Sequence, residues 1–182
     1  MKKALLFTFY AFLLSLFWGP GILHGEQTVR ERLTQAKRHI AEDEIDFAFM
    51  EYQALVRDFP EDPLAQSATF AIGEYYFKQH NTREAKSTFE KFVQEPTEDI
   101  QGLLAYVYLL QCARFSEDAT SAKLLEHRLK EMLSTTEVFL AFEENRTKEW
   151  TSPLGNRFQL REFVDRMEII LNDAPFYTIS LP

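Results

Sequence analysis

The segment FAFMEYQALVRDFPEDP at residues 47–63 decides the fold, because a related segment, REAKSTFEKFVQEPTED, follows it at residues 83–99. Three pairs of residues, each 37 positions apart, correspond between the two segments: Ala48 and Ala85, Tyr52 and Phe89, and Leu55 and Phe92. Residues with this spacing (a small residue, an aromatic one and an apolar one) lie along one face of a helix. A proline then ends each segment, because proline cannot donate the next backbone hydrogen bond of a helix. The two segments therefore predict a repeated helix that packs closely against a neighbour.

A second helix is predicted upstream of each repeated helix, so that each repeat is a helical hairpin. Val29 to Ile40 has apolar residues at helical spacing, and the acidic residues 42–44 follow it as a turn. In the second hairpin the upstream helix contains Gly73. Because glycine inside a helix costs about 1 kcal/mol relative to alanine, Gly73 predicts a point where two helices touch. The turn at residues 79–82 makes Thr82 the predicted N-cap of the next helix.

A third, less regular hairpin is predicted from two further segments. Ile100 to Phe115 is one strongly apolar helix, and Ala119 to Leu133 is its partner. Ala122 again lies 37 positions after Ala85, but Glu126 stands where the pattern requires an aromatic residue. Three repeats are about the minimum for a stable stack of hairpins.

These residues resemble the tetratricopeptide repeat (TPR) family, in which the second helix carries Ala, an aromatic residue and an apolar residue before a closing Pro. The resemblance covers residues 66–97 and also residues 29–62, where Gln35-Ala36 replaces an apolar-Gly pair and His39 occupies the aromatic position. The segment LVRDFPEDPLAQSATFAIGEYYF (55–77) is similar to bacterial envelope members of the family, among them the outer-membrane assembly lipoprotein and the Tol-Pal-associated division coordinator. The resemblance implies an α-solenoid of antiparallel helical hairpins, and it identifies an architecture rather than a particular function.

The C-terminal residues 137–182 fit no repeat, and two interpretations of them stay open. Glu137 to Trp150 predicts a further helix, which the sequence SPLG at 152–155 ends. After that break we favour another helix, because apolar residues recur at helical spacing: Leu160, Phe163, Val164, Met167, Ile170 and Leu171. The alternative is a β-hairpin in which MEIIL (167–171) pairs with FYTISL (176–181) around Asn172-Asp173. With either interpretation, this segment closes the open end of the stack.

The first 25 residues have the order of a secretory signal peptide. Two lysines precede an uncharged apolar run at residues 4–18, and a Gly-Pro-Gly sequence ends this run. Cleavage after Gly25 predicts a periplasmic or secreted protein. Because Leu23 replaces the usual small residue, an uncleaved N-terminal membrane anchor stays an alternative. Cys112 is the only cysteine, so no lipid-anchor cysteine lies near the cleavage site and no intrachain disulfide can form.

The predicted fold class is therefore all-α. Residues 1–25 are the signal peptide, residues 26–136 a TPR-like stack of helical hairpins and residues 137–182 a C-terminal capping extension. Cys112 lies in the apolar run LLAYVYLLQCA (103–113), where a thiol usually behaves as a small buried apolar group.

Charge and motifs argue against several classes of function. The formal net charge of −8 gives the chain no positive field for nucleic acid or for anionic lipid. The four histidines lack paired metal-ligand spacing, and neither a glycine-rich phosphate loop nor a nucleophile elbow is present. We therefore predict no enzymatic activity, metal, cofactor or small-molecule substrate, with a hydrolase built from scattered carboxylates as the weakest alternative.

Stacked hairpins curve, so the first helix of each hairpin lines a concave groove. The candidate partner-binding residues on this face are Arg30, Lys37, Phe70, Glu74, Phe77, Gln111 and Arg114. Such a mixture can hold an extended peptide or a partner helix; alternatively, the two phenylalanines belong to the core and the charges are solvated. The sequence thus predicts an exported protein–protein interaction scaffold that binds a peptide or an envelope protein in its groove. The alternative is a structural subunit of an envelope or export complex that docks through its C-terminal tail.

Overall fold

The structure, a computed structural model, describes residues 28–94, 99–135 and 146–180. The helices in these residues are α1 (Val29–Ala41), α2 (Ile45–Asp58), α3 (Pro63–Lys78), α4 (Thr82–Phe92), α5 (Ile100–Phe115) and α6 (Ala119–Thr135). The strands are β1 (Thr147–Thr151), β2 (Arg157–Glu162), β3 (Arg166–Leu171) and β4 (Ala174–Ser180). The predicted all-α fold class is therefore wrong, because a four-stranded antiparallel sheet follows the helices.

The helices α1 to α6 lie where the sequence predicts them and form three successive hairpins. Each helix packs against the next one along the chain, and α3 also contacts α5. Local signals set the helix starts: Thr28 forms a capping box at α1, and the Asp62 side chain caps α3. Helix α4 begins at Thr82, but its N-cap is Asn81 rather than the predicted Thr82. Membership of the TPR family stays a prediction.

Gly73 is a point at which α3 and α4 touch, as the sequence predicts. A Cβ atom added to Gly73 would lie 2.7–2.9 Å from three atoms of the Phe89 ring, which is closer than non-bonded carbon atoms approach. That ring is held in place, because it is buried and stacks on Tyr108 with the ring centroids 4.7 Å apart. The glycine therefore lets the aromatic core form directly against the backbone of α3.

Replacing Gly73 with alanine should destabilise the fold, although alanine is the better helix former by about 1 kcal/mol. The added methyl group would overlap the Phe89 ring, and overpacking of this kind costs about 1–3 kcal/mol. Urea denaturation should therefore give Gly73→Ala a free energy of unfolding up to about 2 kcal/mol below that of the wild type. In a Phe89→Leu background the overlap is relieved, and the same alanine should stabilise the protein. An alanine that stabilises the wild-type background would contradict this contact.

The C-terminal residues form a meander of strands in the order β1-β2-β3-β4, with every neighbouring pair antiparallel. The favoured C-terminal helix is therefore wrong, and the alternative hairpin of β3 and β4 is present. Asn172 and Asp173 form its turn with φ values of 48° and 66°, the positive values that a two-residue hairpin turn of type I′ requires. Because side chains alternate across a strand, one face of β2 and β3 is buried: Phe158, Leu160, Met167 and Ile169.

The buried face of the sheet packs on the helices and completes the main core. The rings of Trp150 and Phe70 meet edge to face, with their centroids 5.5 Å apart. Five large apolar side chains of the sheet are at most 3% exposed: Phe158, Leu160, Met167, Ile169 and Ile179. Full burial of such a side chain contributes about 1.5–3 kcal/mol, so together they contribute on the order of 10 kcal/mol. This is comparable with the whole stability of a typical domain, so the sheet is an integral part of the fold.

Two sequence predictions fall wholly or partly outside the described residues. The signal peptide at residues 1–25 is one, and most of the predicted helix from Glu137 to Trp150 is the other. The last four residues of that predicted helix belong instead to β1. Among the described residues, no helix has both the length and the apolar character needed to cross a bilayer. Cys112 is buried as predicted, and burial raises the pKa of its thiol to about 11.

Candidate functional site

The seven candidate partner-binding residues divide into two groups. Five of them contact the C-terminal sheet or the turn before β2: Phe70, Glu74, Phe77, Gln111 and Arg114. Arg30 and Lys37 lie on α1, where both are exposed, and their side chains form no ion pair with the described part of the chain. The chain's own sheet therefore covers the inner face of α3 and α5 and leaves part of α1 open.

The sheet engages α3 and α5 through both aromatic and polar contacts. The rings of Phe77 and Phe176 meet edge to face, with their centroids 6.1 Å apart. Gln111 Nε2 donates a hydrogen bond of 3.0 Å to the backbone oxygen of Phe176. The Arg114 guanidinium lies over the Tyr177 ring, 4.9 Å from its centroid. These three residues therefore help to hold the sheet, although the Arg114 side chain remains 46% exposed.

Glu74 is the one fully buried charged side chain among the described residues, with 1% exposure. Its Oε1 accepts hydrogen bonds from the Tyr108 hydroxyl at 3.1 Å and from the Asn156 side-chain amide at 3.0 Å. Burial raises the pKa of Glu74 to about 7, although Ser152, Asn156, Tyr108 and the Leu154 amide favour its ionised form. Its Oε2 still lacks a hydrogen-bond partner of normal geometry. Glu74 thus forms a polar junction that joins α3, α5 and the turn.

The turn at residues 152–156 ties the sheet to the α1–α2 hairpin. The Tyr52 hydroxyl on α2 donates a hydrogen bond of 2.5 Å to the backbone oxygen of Pro153. Leu154 is buried in an apolar cluster formed by α1, α2 and α3. Gly155 has a φ of +85°, and a Cβ there would lie 2.9 Å from Ile40 Cγ2, so both conformation and space favour glycine at this position.

An open cleft of about 390 Å³ remains between α1 and the end of β1. We call it the α1 cleft, and its lining is Leu33, Lys37, Ile40, Leu64, Ser67, Gln101, Trp150, Thr151, Ser152, Pro153 and Gly155. The first helix of every hairpin contributes to this lining, so the α1 cleft is the part of the groove that the sheet leaves open. Its volume lies within the range of ligand pockets, about 300–1,000 Å³.

The α1 cleft combines one cation with neutral polar side chains. Among the described residues that line it, Lys37 is the only ionisable one, and the hydroxyl and amide groups of Ser67, Thr151, Ser152 and Gln101 can both donate and accept hydrogen bonds. The Trp150 indole N–H has no hydrogen-bond partner within residues 28–94, 99–135 and 146–180. Gln101 Nε2 and Ser67 Oγ form a long contact of 3.5 Å and so retain capacity for another partner. The cleft therefore offers a cation and neutral polar groups around apolar walls, and the described residues of its lining include no carboxylate.

Three side chains at the α1–α2 turn place metal-ligating atoms within 4.8 Å of one another: His39, Glu42 and Glu44. His39 Nδ1 already lies 2.7 Å from Glu44 Oε2, which gives both groups a protein partner. The two glutamates are exposed. Solvated turns often carry such acidic groups, so this arrangement does not define a metal centre.

Sequence reasoning missed the part of the α1 cleft that β1 and its following turn supply. The SPLG sequence indicated a chain break, but no local signal indicated that this break packs on residues about 100 positions upstream. No protein-family model matches this chain, and no curated protein has a significantly similar sequence.

Proposed function

We propose that this protein is an exported protein–protein interaction scaffold whose α1 cleft holds an extended segment of an envelope protein. The observation that carries the proposal is the α1 cleft itself, where all three hairpins and β1 converge on an open surface that combines apolar walls with one cation and several neutral polar groups. Apolar walls with a few convergent polar groups are typical of sites that bind peptides and small ligands. The predicted signal peptide and the TPR resemblance support the envelope location and the scaffold role.

A partner does not bind by displacing the sheet. Exposing its buried side chains would cost on the order of 10 kcal/mol, nearly the whole binding free energy of a complex with a nanomolar dissociation constant, about 12 kcal/mol. A partner that used the covered residues would therefore bind very weakly. The α1 cleft requires no such displacement, because Lys37, Leu64 and Thr151 in its lining are exposed.

Site-specific photocrosslinking in intact cells tests this proposal. The photoreactive residue p-benzoylphenylalanine replaces Leu64, which lines the cleft and is 37% exposed, or Met50, which is 60% exposed on α2 and does not line the cleft. We expect a discrete crosslinked adduct from Leu64 that is absent or much weaker from Met50. Equal adducts from both positions, or none from Leu64, would contradict a partner in the α1 cleft.

A second candidate function is docking through the C-terminal sheet. The turn between β2 and β3 carries Phe163 at 37% and Val164 at 91% exposure, an apolar tip that the core does not use. If this tip is the docking surface, the photoreactive residue at Val164 should give the discrete adduct and the residue at Leu64 should not. The same experiment therefore separates the two functions.

A further inference from the structure

We infer that the segment bound in the α1 cleft is acidic: an extended peptide whose carboxylate pairs with Lys37 while a neighbouring large apolar side chain contacts Leu33, Leu64 and Trp150. This inference rests on the proposed function and adds the chemistry of the partner. It follows from the charges that line the cleft, from a second cation on the same helix and from the dimensions of an extended chain.

The charge of the cleft differs from that of the chain as a whole. The chain has 28 acidic and 20 basic residues, yet the described residues that line the cleft supply one cation and no anion. A second cavity of about 420 Å³, between α2, α3 and α4, shows the contrast, since Glu61, Asp62 and Lys91 all line it. An anionic ligand would therefore meet local attraction in the α1 cleft and not in the second cavity.

Arg30 extends this positive surface along α1. It lies seven residues before Lys37, which corresponds to about 10 Å along the helix axis and nearly the same side of the helix. An extended peptide of polyproline II type rises about 9 Å over three residues, and residues three apart lie on the same side. Two carboxylates separated by two residues therefore match Arg30 and Lys37. The peptide side chains between these two carboxylates face the apolar walls of the cleft or solvent.

The groups beside Lys37 suit a carboxylate better than a cation. An ionised carboxylate only accepts hydrogen bonds, and Lys37 together with the Gln101 amide in the same lining can donate them. A bound carboxylate can thus replace its lost water contacts with an ion pair and neutral hydrogen bonds, whereas a bound ammonium group would find no anion among the described residues of the lining.

Titration of the full chain with a synthetic peptide tests the inference. The probe is the hexapeptide Ser-Glu-Leu-Phe-Glu-Ser with blocked ends, compared with Ser-Gln-Leu-Phe-Gln-Ser. Trp150 fluorescence reports binding in a Trp18→Phe variant, because these are the two tryptophans of the chain. We expect a saturable change with the acidic peptide, a weaker one with the neutral peptide, and weaker binding at high ionic strength.

Lys37→Met keeps the length of the side chain and removes its charge, so it should weaken binding of the acidic peptide about fivefold, the size of one ion pair at a partly open site. The matched control is Lys130→Met, an exposed lysine on α6 outside the cleft, and it should leave binding unchanged. In Lys37→Glu the preference should reverse toward a peptide with lysines in place of both glutamates. Such a reversal would not arise from a loss of folding.

The outcomes separate this inference from the proposed function. Equal binding of the acidic and neutral peptides, with no effect of Lys37→Met, would overturn the acidic preference and leave peptide binding in the cleft intact. Absence of a Trp150 response to the acidic peptide would also overturn the acidic preference. In that case the adduct at Leu64 decides independently whether the cleft binds any partner.

Discussion

Phe158→Ala should lower the free energy of unfolding by about 3–5 kcal/mol, the usual cost of truncating a fully buried phenylalanine. Phe158 lies on β2, is 1% exposed and has its ring centroid 6.2 Å from that of Tyr108 on α5. Its removal would leave a cavity where the sheet meets the helices. Urea denaturation followed by far-UV circular dichroism measures the loss, and a low-stability variant would already be partly unfolded without denaturant.

Phe163→Ala is the matched control, because the same truncation is made five residues later in the chain. Phe163 is 37% exposed, and its main contact is the Arg166 guanidinium, 4.2 Å from the ring centroid. This interaction contributes about 0.5–1 kcal/mol, so Phe163→Ala should cost no more than that. If the C-terminal residues formed a helix instead, Phe163 would lie on its buried face. Phe163→Ala would then lower the free energy of unfolding more than Phe158→Ala. The pair of variants therefore tests the sheet itself, and a larger loss from Phe163→Ala would refute it.

In the wild type, titration of Glu74 should change the free energy of unfolding by about 3 kcal/mol, and Glu74→Gln should abolish this change. The pKa of Glu74 is raised from 4.5 to about 7 in the folded protein, chiefly by burial. Between these values the folded protein holds a proton that the unfolded chain releases, so raising the pH favours unfolding. This contribution to stability is fully present below about pH 4.5 and is lost as the pH rises through about 7. Glutamine cannot ionise, so the stability of the variant lacks this pH-dependent contribution.

Denaturation at a series of pH values measures this effect as the difference in slope between the wild type and Glu74→Gln. The absolute stability of the variant also includes the new amide beside Tyr108 and Asn156, so the slope is the better readout. Glu61→Gln, at an exposed turn, provides the control and should keep the wild-type slope. Parallel curves for the wild type and Glu74→Gln from about pH 4.5 to 7 would show that the carboxyl group is ionised throughout and would refute the prediction.

The helical part of the fold could be predicted from sequence because its signals are local. The 37-residue spacing of Ala48 and Ala85 fixed the repeated helices, and Gly73 marked a contact that the structure contains. Each of these conclusions depends on residues within one helix or between adjacent helices, where spacing along the chain determines which side chains share a face.

The C-terminal sheet could not be predicted with the same security, because its sequence carries two periodicities at once. Phe158, Leu160, Met167 and Ile169 alternate within their strands, whereas Leu160, Phe163 and Met167 fit a helical face equally well. Packing against distant helices decides between them. The same cause limited the prediction of the site: Phe70 and Glu74 were predicted to line an open groove, whereas both are buried, and nothing near them in sequence indicated what covers them.

The Tyr52–Pro153 hydrogen bond joins residues 101 positions apart, and this separation orders events during synthesis. The α1–α2 hairpin is synthesised early, yet it lacks Leu154, a buried member of its apolar cluster, until the turn at residues 152–156 has also been made. Contacts of such long range form late in folding. A chain that stops before this turn consequently leaves that cluster incomplete and exposes apolar surface, which favours aggregation. Closure of the α1–α2 hairpin therefore waits for a turn that lies about 100 residues further along the chain.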